Sequence, residues 1–259
     1  MTKNQVFTIL QRAGGIRAAR IITEHKKNLT WIRTLYIAHK LRRGVPVAKI
    51  IHEKWFYGLP FYTNRHTLDP RPDTETLVAT VISDTQPESN LRILDLGTGT
   101  GCIICSLAKN IYGASGVAID KSRSALRVAQ KNIKNFGLKE KVKTRRANFY
   151  KPQRFNEKFD IIVSNPPYIA QNDSRVNFGA LHDPKIALYA KENGLFAYKQ
   201  ISKHAHKWIK NDGKLYIEIG INQGADIKNI FIQNGCDLSR CENDLGGIER
   251  VLVFTRAHQ

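Results

Sequence analysis

Asn165-Pro166-Pro167-Tyr168 is the stretch whose residue types could do chemistry. It follows an apolar run, residues 159–163, that reads as a buried strand. Buried parallel strands are almost continuously hydrophobic, and ligands of open α/β sheets sit at their carboxyl ends. Each proline fixes its own φ, lacks an N–H and restricts the residue before it. The predicted product is a stiff loop rich in acceptors: the Asn165 side-chain oxygen and the Asn165 and Pro166 carbonyls, with the Tyr168 ring beside them. A planar NH2 group suits that loop. Two acceptors can hold both hydrogens while the ring packs on the plane, which leaves one face of the nitrogen free for in-line attack. Such a site works by orientation and hydrogen bonding rather than by a strong base. The plainer reading is a turn that ends a strand.

A second motif runs from Arg92 through Asp95 and Leu96 into Gly97-Thr98-Gly99-Thr100-Gly101. An apolar strand ends in alternating glycines and opens into a predicted helix over 102–110. Glycines let a ligand approach the backbone, and a helix start offers free N–H groups. A dinucleotide site is the competing reading. Against it stand the Gly-x-Gly-x-Gly spacing, in place of Gly-x-Gly-x-x-Gly, and the acidic Asp95 just before the loop. The next strand, residues 116–119, ends in Asp120, placed to accept bonds from ribose hydroxyls. Its structural alternative is an N-cap for the helix over 122–136. The strand over 142–147 leads to Asn148-Phe149-Tyr150, where an aromatic could cover an adenine. Adenosine held by its ribose, with a cationic tail instead of a pyrophosphate, points to S-adenosylmethionine.

Elements must position these residues. Residues 3–43 read as helical, with Val6, Ile9 and Leu10, then Trp31, Leu35 and Ala38 at helical spacing. Around Trp55 to Thr63 the texture becomes that of a hairpin turning at Gly58-Leu59-Pro60. Asp69-Pro70-Arg71-Pro72-Asp73-Thr74-Glu75 reads as a stiff connector that enters a helix, with the domain boundary near it. The predicted division is a helical part over 1–50, a hairpin and linker over 51–72, and a larger domain over 73–259. Beyond the Asn-Pro-Pro-Tyr loop come a polar lid over 170–184, a helix over 195–209, a strand over 214–219, a helix over 223–233 and a strand over 250–254. Seven strands with interleaved helices give an open doubly wound α/β sheet with its last strand antiparallel.

The chain has 259 residues and a formal charge of +19. Residues 1–60 hold twelve Lys and Arg against Glu24 and Glu53, and residues 121–158 hold thirteen against Glu140 and Glu157. Such fields favour RNA or the ribosome as a partner, against the reading of solvated basic faces. No run is long enough to span a membrane. Cys102, Cys105, Cys236 and Cys241 give no disulfide framework and point to a reducing compartment. The C-x-x-C pair reads as small buried helix residues rather than a metal site. A cytoplasmic setting is expected, with the mitochondrial matrix as the alternative because the basic start could serve as a targeting segment.

From about Gly44 to Phe254 the chain resembles the HemK/PrmC family, protein-(glutamine-N5) methyltransferases that act on class 1 peptide release factors. The motifs that carry the resemblance are Phe56-Tyr57-Gly58-Leu59, Arg71-Pro72-Asp73-Thr74-Glu75, Asp95 to Gly101, Asn165 to Tyr168, Glu218-Ile219-Gly220 and Asp244-Leu245-Gly246-Gly247. The resemblance implies a class I S-adenosylmethionine-dependent methyltransferase: a Rossmann-like seven-stranded sheet, a small helical N-terminal domain that docks the substrate, and a linking β-hairpin. It implies that Gly97, Thr98, Gly99, Thr100, Gly101, Asp120, Phe149 and Asn165 contact the cofactor. It also implies that Asn165, Pro166, Pro167 and Tyr168, with Arg71 and Glu75, hold the glutamine of a Gly-Gly-Gln motif. The chain departs from the family at Phe149 (usually tryptophan), Asn148 and Asn193 (usually acids) and Asp69 (usually apolar), and its helical part is short. Two alternatives are an amino-methyltransferase of RNA or DNA bases and a catalytically silent, basic ribosome-binding protein.

Overall fold

Strands that are apolar on both faces are stable only between two layers of helix, and this chain is arranged around such strands. The computed structural model describes residues 2–86, 90–173 and 181–257. Helices α1 (Lys3–His25), α2 (Trp31–Arg42) and α3 (Val47–Ile51) precede a hairpin of β1 (Glu53–Phe56) and β2 (Leu59–Tyr62). There follow α4 (Thr74–Ser83), β3 (Arg92–Leu96), α5 (Cys102–Asn110), β4 (Ser115–Asp120), α6 (Arg123–Asn135), β5 (Val142–Arg146) and β6 (Phe159–Ser164). Next are the two-residue β7 (Ile169–Ala170), the one-turn α7 (Lys185–Leu188) and the two-residue β8 (Tyr189–Ala190). Last come α8 (Phe196–Trp208), β9 (Ile209–Glu218), α9 (Gly224–Ile232), β10 (Cys236–Asn243) and β11 (Glu249–Arg256). Part of the lid expected over 170–184, residues 174–180, lies outside the described residues.

The sheet has the order β10-β11-β9-β6-β3-β4-β5. Strands β3, β4, β5, β6 and β9 are parallel, and β11 is antiparallel to both its neighbours. Strand order reverses at β3, the switch point where α/β sheets open a crevice. Leu96 lies opposite both Ile119 and Ser164, and Ser164 opposite Ile217. Gly97, Asp120, Asn165 and Glu218 therefore leave the sheet at one edge.

One face of the sheet is closed by α4, α5 and α6 through residues such as Leu77, Leu107 and Ile133, the other by α8 and α9 through Ile201, Trp208 and Phe231. The hairpin belongs to the first layer. An isolated hairpin is marginal in water. Here Phe56 and Phe61 are fully buried, with the Phe61 ring edge-on to Phe136 at 4.9 Å, a gain of roughly 1.5–3 kcal/mol per ring. Asn132 of α6 completes the attachment. Its amide bonds both polar groups of Tyr62 (2.8 and 3.0 Å) and the Thr100 carbonyl at 2.9 Å. One buried side chain thus ties the hairpin to the glycine loop.

The hairpin turns at Tyr57-Gly58, both at positive φ (47° and 71°), rather than over Gly58 to Pro60. Left-handed values at both central residues match the twist of a two-residue turn, so Leu59 and Pro60 lie in β2. In α2 the inward residues are Thr34, Ile37, Ala38 and Leu41. Trp31 and Leu35 face outward with Ile32 and Tyr36, which makes an exposed apolar strip. Helix α1 starts with a Thr2/Gln5 capping box and breaks at Gly15, whose φ is 84°.

Lys49 explains the acid at Asp69. It is buried on α3 and pairs with Asp69 at 2.8 Å and Asp183 at 2.9 Å, while Asp183 also holds Arg71 at 2.6 Å. The knot joins the N-terminal helices, the linker and the segment before α7. Lys49→Met leaves Asp69 without its cation and Asp183 with Arg71 alone, a loss of about 3–5 kcal/mol by the usual cost of breaking a buried pair. Burial raises the proton affinity of Asp183 and Lys49 opposes it, so without Lys49 the folded state holds that proton more tightly and the variant's deficit grows as pH rises. Urea denaturation at pH 5 and pH 8 measures both; equal stability of variant and parent at pH 8 shows that the knot holds nothing.

Candidate active site

Three alternate glycines open the site. Gly97, Gly99 and Gly101 have φ of 76°, 54° and 79°, a conformation that glycine adopts without steric penalty. The N–H groups of Gly97 and Thr98 both bond the Ile119 carbonyl at 2.9 Å, which draws the loop over the end of β4. Asp120 then takes the Gly99 N–H at 3.1 Å and the Ser122 N–H at 2.8 Å. The N-cap of α6 is Ser122, which accepts from Ala125 N at 3.2 Å. Asp120 is therefore a loop clamp with lone pairs left to face the cleft.

A cleft at this end of the sheet is lined by Gly97, Gly99, Asp120, Phe149, Asn165 and Pro167 among others. Phe149 is buried and rests over Gly97: a Cβ there would lie 3.3 Å from its ring. Thr98, Thr100 and Gly101 lie beneath the loop. The Thr98 hydroxyl bonds Asp95 at 2.6 Å, the Thr100 carbonyl receives Asn132, and Gly101 abuts Ala129. Lys121 and Tyr150 also line the cleft, with the Lys121 ammonium 5.0 Å from the Tyr150 ring centre. No motif marked Lys121.

The second half of the site is the loop after β6. Asn165 Nδ2 donates to Thr74 Oγ1 at 3.0 Å, which turns Oδ1 the other way, out toward a ligand. Thr74 sits at the start of α4 and is buried. It belongs to a motif already singled out, but only hydrogen-bond geometry in three dimensions reveals it as the partner of Asn165. Tyr168 packs on Gly220, where a Cβ would come within 2.9 Å of the ring, and its carbonyl accepts from Gln223 at 3.1 Å. Asn165 and Pro167 line the cleft, while Tyr168 faces Gly220 and is not among the lining residues. Arg71 is engaged with Asp183, and Glu75 accepts the Tyr57 N–H at 2.9 Å, so it holds the hairpin turn.

Electrostatically the edge is unusual for so basic a chain. Burial pushes Asp95 up to about 7, with a further contribution from Asp120. Burial also raises Asp120, against the pull of its two N–H bonds, and raises Glu218 to about 7. Asp95 Oδ1 and both Glu218 oxygens make no hydrogen bond of ordinary geometry. Of these three carboxyls Asp120 lines the cleft, where its charge favours a cationic guest; Asp95 and Glu218 lie behind it and are fully buried. Cys102 and Cys105 are buried in α5, with the Cys102 thiol pushed up to about 12 by burial. Among the described residues no group of three or more acids, histidines or cysteines could hold a metal ion, and no helix is long and apolar enough to cross a membrane.

A glycine loop, an acid at the end of β4 that lines the cleft and a stiff acceptor loop at the switch point together define a class I, Rossmann-like α/β methyltransferase. The family model described as "Methyltransferase small domain" matches residues 70–182. The fold is that of the ribosomal protein L11 methylase from Lactobacillus delbrueckii subsp. bulgaricus, with a TM-score of 0.54 and 20% identity over 74% of this chain and 84% of that one. The chain is 40% identical to the release factor glutamine methyltransferase of Agrobacterium fabrum, over 82% of this chain and 75% of the relative. It is 35% identical to the enzyme of the same description from Flavobacterium psychrophilum, over 96% and 87%. The chain belongs to the release factor glutamine methyltransferase family.

Asp95 supplies a test of the electrostatics. An unfolded Asp releases its proton near pH 4, whereas the folded group keeps it to about pH 7. The folded state binds more protons in that window, so this group makes the ligand-free protein less stable as pH rises from about 4 through 7. Asp95→Asn, neutral throughout, reduces that slope in denaturation curves taken between pH 5 and pH 8. An unchanged slope removes Asp95 from the account.

Proposed function

We propose that the protein transfers a methyl group from S-adenosylmethionine to the side-chain amide nitrogen of the glutamine in the Gly-Gly-Gln motif of a class 1 peptide release factor. The observation that carries the reading is the Thr74–Asn165 bond, which presents a carboxamide oxygen to the cleft. Family membership supplies the substrate class.

The cleft suits the cofactor. Asp120 faces it with free lone pairs for ribose hydroxyls, Phe149 forms an apolar wall for an adenine, and the glycine floor admits close approach. Asp120, on the wall of the cleft, also suits a positive tail. When bound, S-adenosylmethionine supplies a methyl group on a positively charged sulfur, open to in-line displacement. Asn165 Oδ1 takes one amide N–H of the glutamine, and a carbonyl of the Asn165-Pro166 segment takes the other. The nitrogen face is then fixed toward the cofactor side, and its surplus proton leaves to solvent. The prolines hold this geometry before the substrate arrives, so little reorganisation is left for the reaction itself.

The helical part over 1–50 is our choice for docking the protein substrate. Its outward strip of Trp31, Ile32, Leu35 and Tyr36 lies among Arg33, Lys40 and Arg42, a mixture suited to an apolar patch with an acidic rim. Labelled S-adenosylmethionine offered with release factor or with RNA in parallel tests the substrate class; label in RNA alone overturns it.

Two substitutions separate cofactor from chemistry. Asp120→Ala weakens S-adenosylmethionine binding by about 1.5–3 kcal/mol, the value of a hydrogen bond to a charged group; unchanged affinity by isothermal titration removes Asp120 from the site. Asn165→Ala lowers kcat on release factor about 10²–10³-fold, the usual loss for one preorganised bond, with at most a modest change in cofactor affinity. Single-turnover methylation by folded Asn165→Ala at the parent rate sinks the orientation mechanism.

A further inference from the structure

Glu218 is the buried acid for which the mechanism above has no use. It ends β9 with 1% of its surface exposed, and neither carboxyl oxygen closes a hydrogen bond of ordinary geometry. Around it lie the Thr74 hydroxyl of α4, Arg71 and Asp73 ahead of α4, and Arg250 of β11. The Tyr168 and Tyr198 hydroxyls and the Cys102 thiol also feel its charge. Most of these groups have other partners. Arg250 holds Asp244 at 2.9 and 3.1 Å and the Ile219 carbonyl at 3.1 Å. Arg71 holds Asp183, and the Tyr198 hydroxyl donates to the Glu218 carbonyl at 3.1 Å. Thr74 is different, because its oxygen receives Asn165 Nδ2 and its single proton still needs an acceptor.

We propose that Glu218 is a positioning residue that sets, through Thr74, which end of the Asn165 carboxamide faces the substrate. A hydroxyl carries one proton. When ionised Glu218 takes that proton, Thr74 can only accept from Asn165, so Nδ2 points at Thr74 and Oδ1 at the glutamine amide. When Glu218 is protonated it becomes the donor. Thr74 then turns its own proton to Asn165, the carboxamide flips, and an N–H confronts the N–H of the substrate. The acid sits where this exchange falls near neutrality, since burial lifts it to about 7. Asp95, lifted to a similar value, is the group that could imitate the effect.

The inference rests on the glutamine-methylation reading. Its test is a kcat profile from pH 5.5 to 8.5 on a class 1 release factor at saturating S-adenosylmethionine. The parent enzyme loses about tenfold in kcat per pH unit below the midpoint of a single essential ionisation. Glu218→Gln, the isostere of the protonated acid, has no acid limb and keeps the low kcat at every pH; parental kcat in that variant overturns the inference. Thr74→Val lowers kcat about 10–100-fold, less than loss of the direct bond, with unchanged cofactor affinity and release-factor KM. Thr74→Ser restores kcat; a purely structural Thr74 would be served as well by valine. An acid limb that persists in Glu218→Gln assigns it to another group and overturns this inference alone, as does a Thr74→Val enzyme with parental kcat. If Glu218→Gln fails to fold, the Thr74 pair decides. A parent enzyme that methylates no release factor overturns the functional reading and this inference with it.

Discussion

The buried Ser164 hydroxyl donates to the Leu96 carbonyl at 2.8 Å. That bond fastens the last residue of β6 to the last residue of β3 at the point where the sheet changes direction. One residue further on, the two strands become the glycine loop and the Asn-Pro-Pro-Tyr loop. Methyl transfer between two bound molecules depends on their reacting atoms being held within a fraction of an ångström. The strand ends that carry the two halves of the site are joined by a direct bond in the dry interior. The remaining supports, the Asn132 bridge beneath the glycine loop and the Thr74 contact behind Asn165, brace each half from outside.

Charge is distributed to match. The chain is strongly basic overall, yet its sheet edge gathers Asp95, Asp120 and Glu218, each with its proton affinity raised, by burial above all. Burying acids is costly and common at functional sites. Here the cost falls on the ligand-free state, so a cationic guest at Asp120 gains what the empty pocket lacks. Elsewhere the buried acids have their cations in place, as Lys49 does for Asp69 and Asp183. The two kinds of buried carboxyl differ in one respect: whether the counter-charge belongs to the protein.

Most of the sheet could be read from the sequence, because β3, β4 and β6 are continuous apolar runs closed by Gly, Asp or Asn. The chemical loops were legible for the same reason, since prolines and alternating glycines constrain backbone wherever they occur. What stayed hidden depends on distant partners. Strand β10, with Asp237, Arg240 and Glu242 among its residues, is an edge strand whose charges deter further pairing and mask its periodicity. The inward face of α2 does not follow from spacing, because Trp31 and Leu35 share the helical spacing of Ala38 yet are exposed. Thr74, Glu75 and Asp69 acquire their roles only from Asn165, Tyr57 and Lys49, and spacing along the chain does not reveal such pairings.

The bonds that assemble the pocket are long in sequence. Tyr62 meets Asn132 across 70 residues, Thr74 meets Asn165 across 91, and Arg71 meets Asp183 across 112. Helices α1 to α3 need only local contacts and can form while the chain is still being made, whereas contacts this distant come late. At ordinary elongation rates β9 emerges roughly 10–40 s into synthesis, and until then the outer edge of β6 has no partner strand. A nascent chain of this protein is thus a customer for chaperones, and any product truncated before Glu218 is a helical head on an unfinished sheet, unable to bind either substrate.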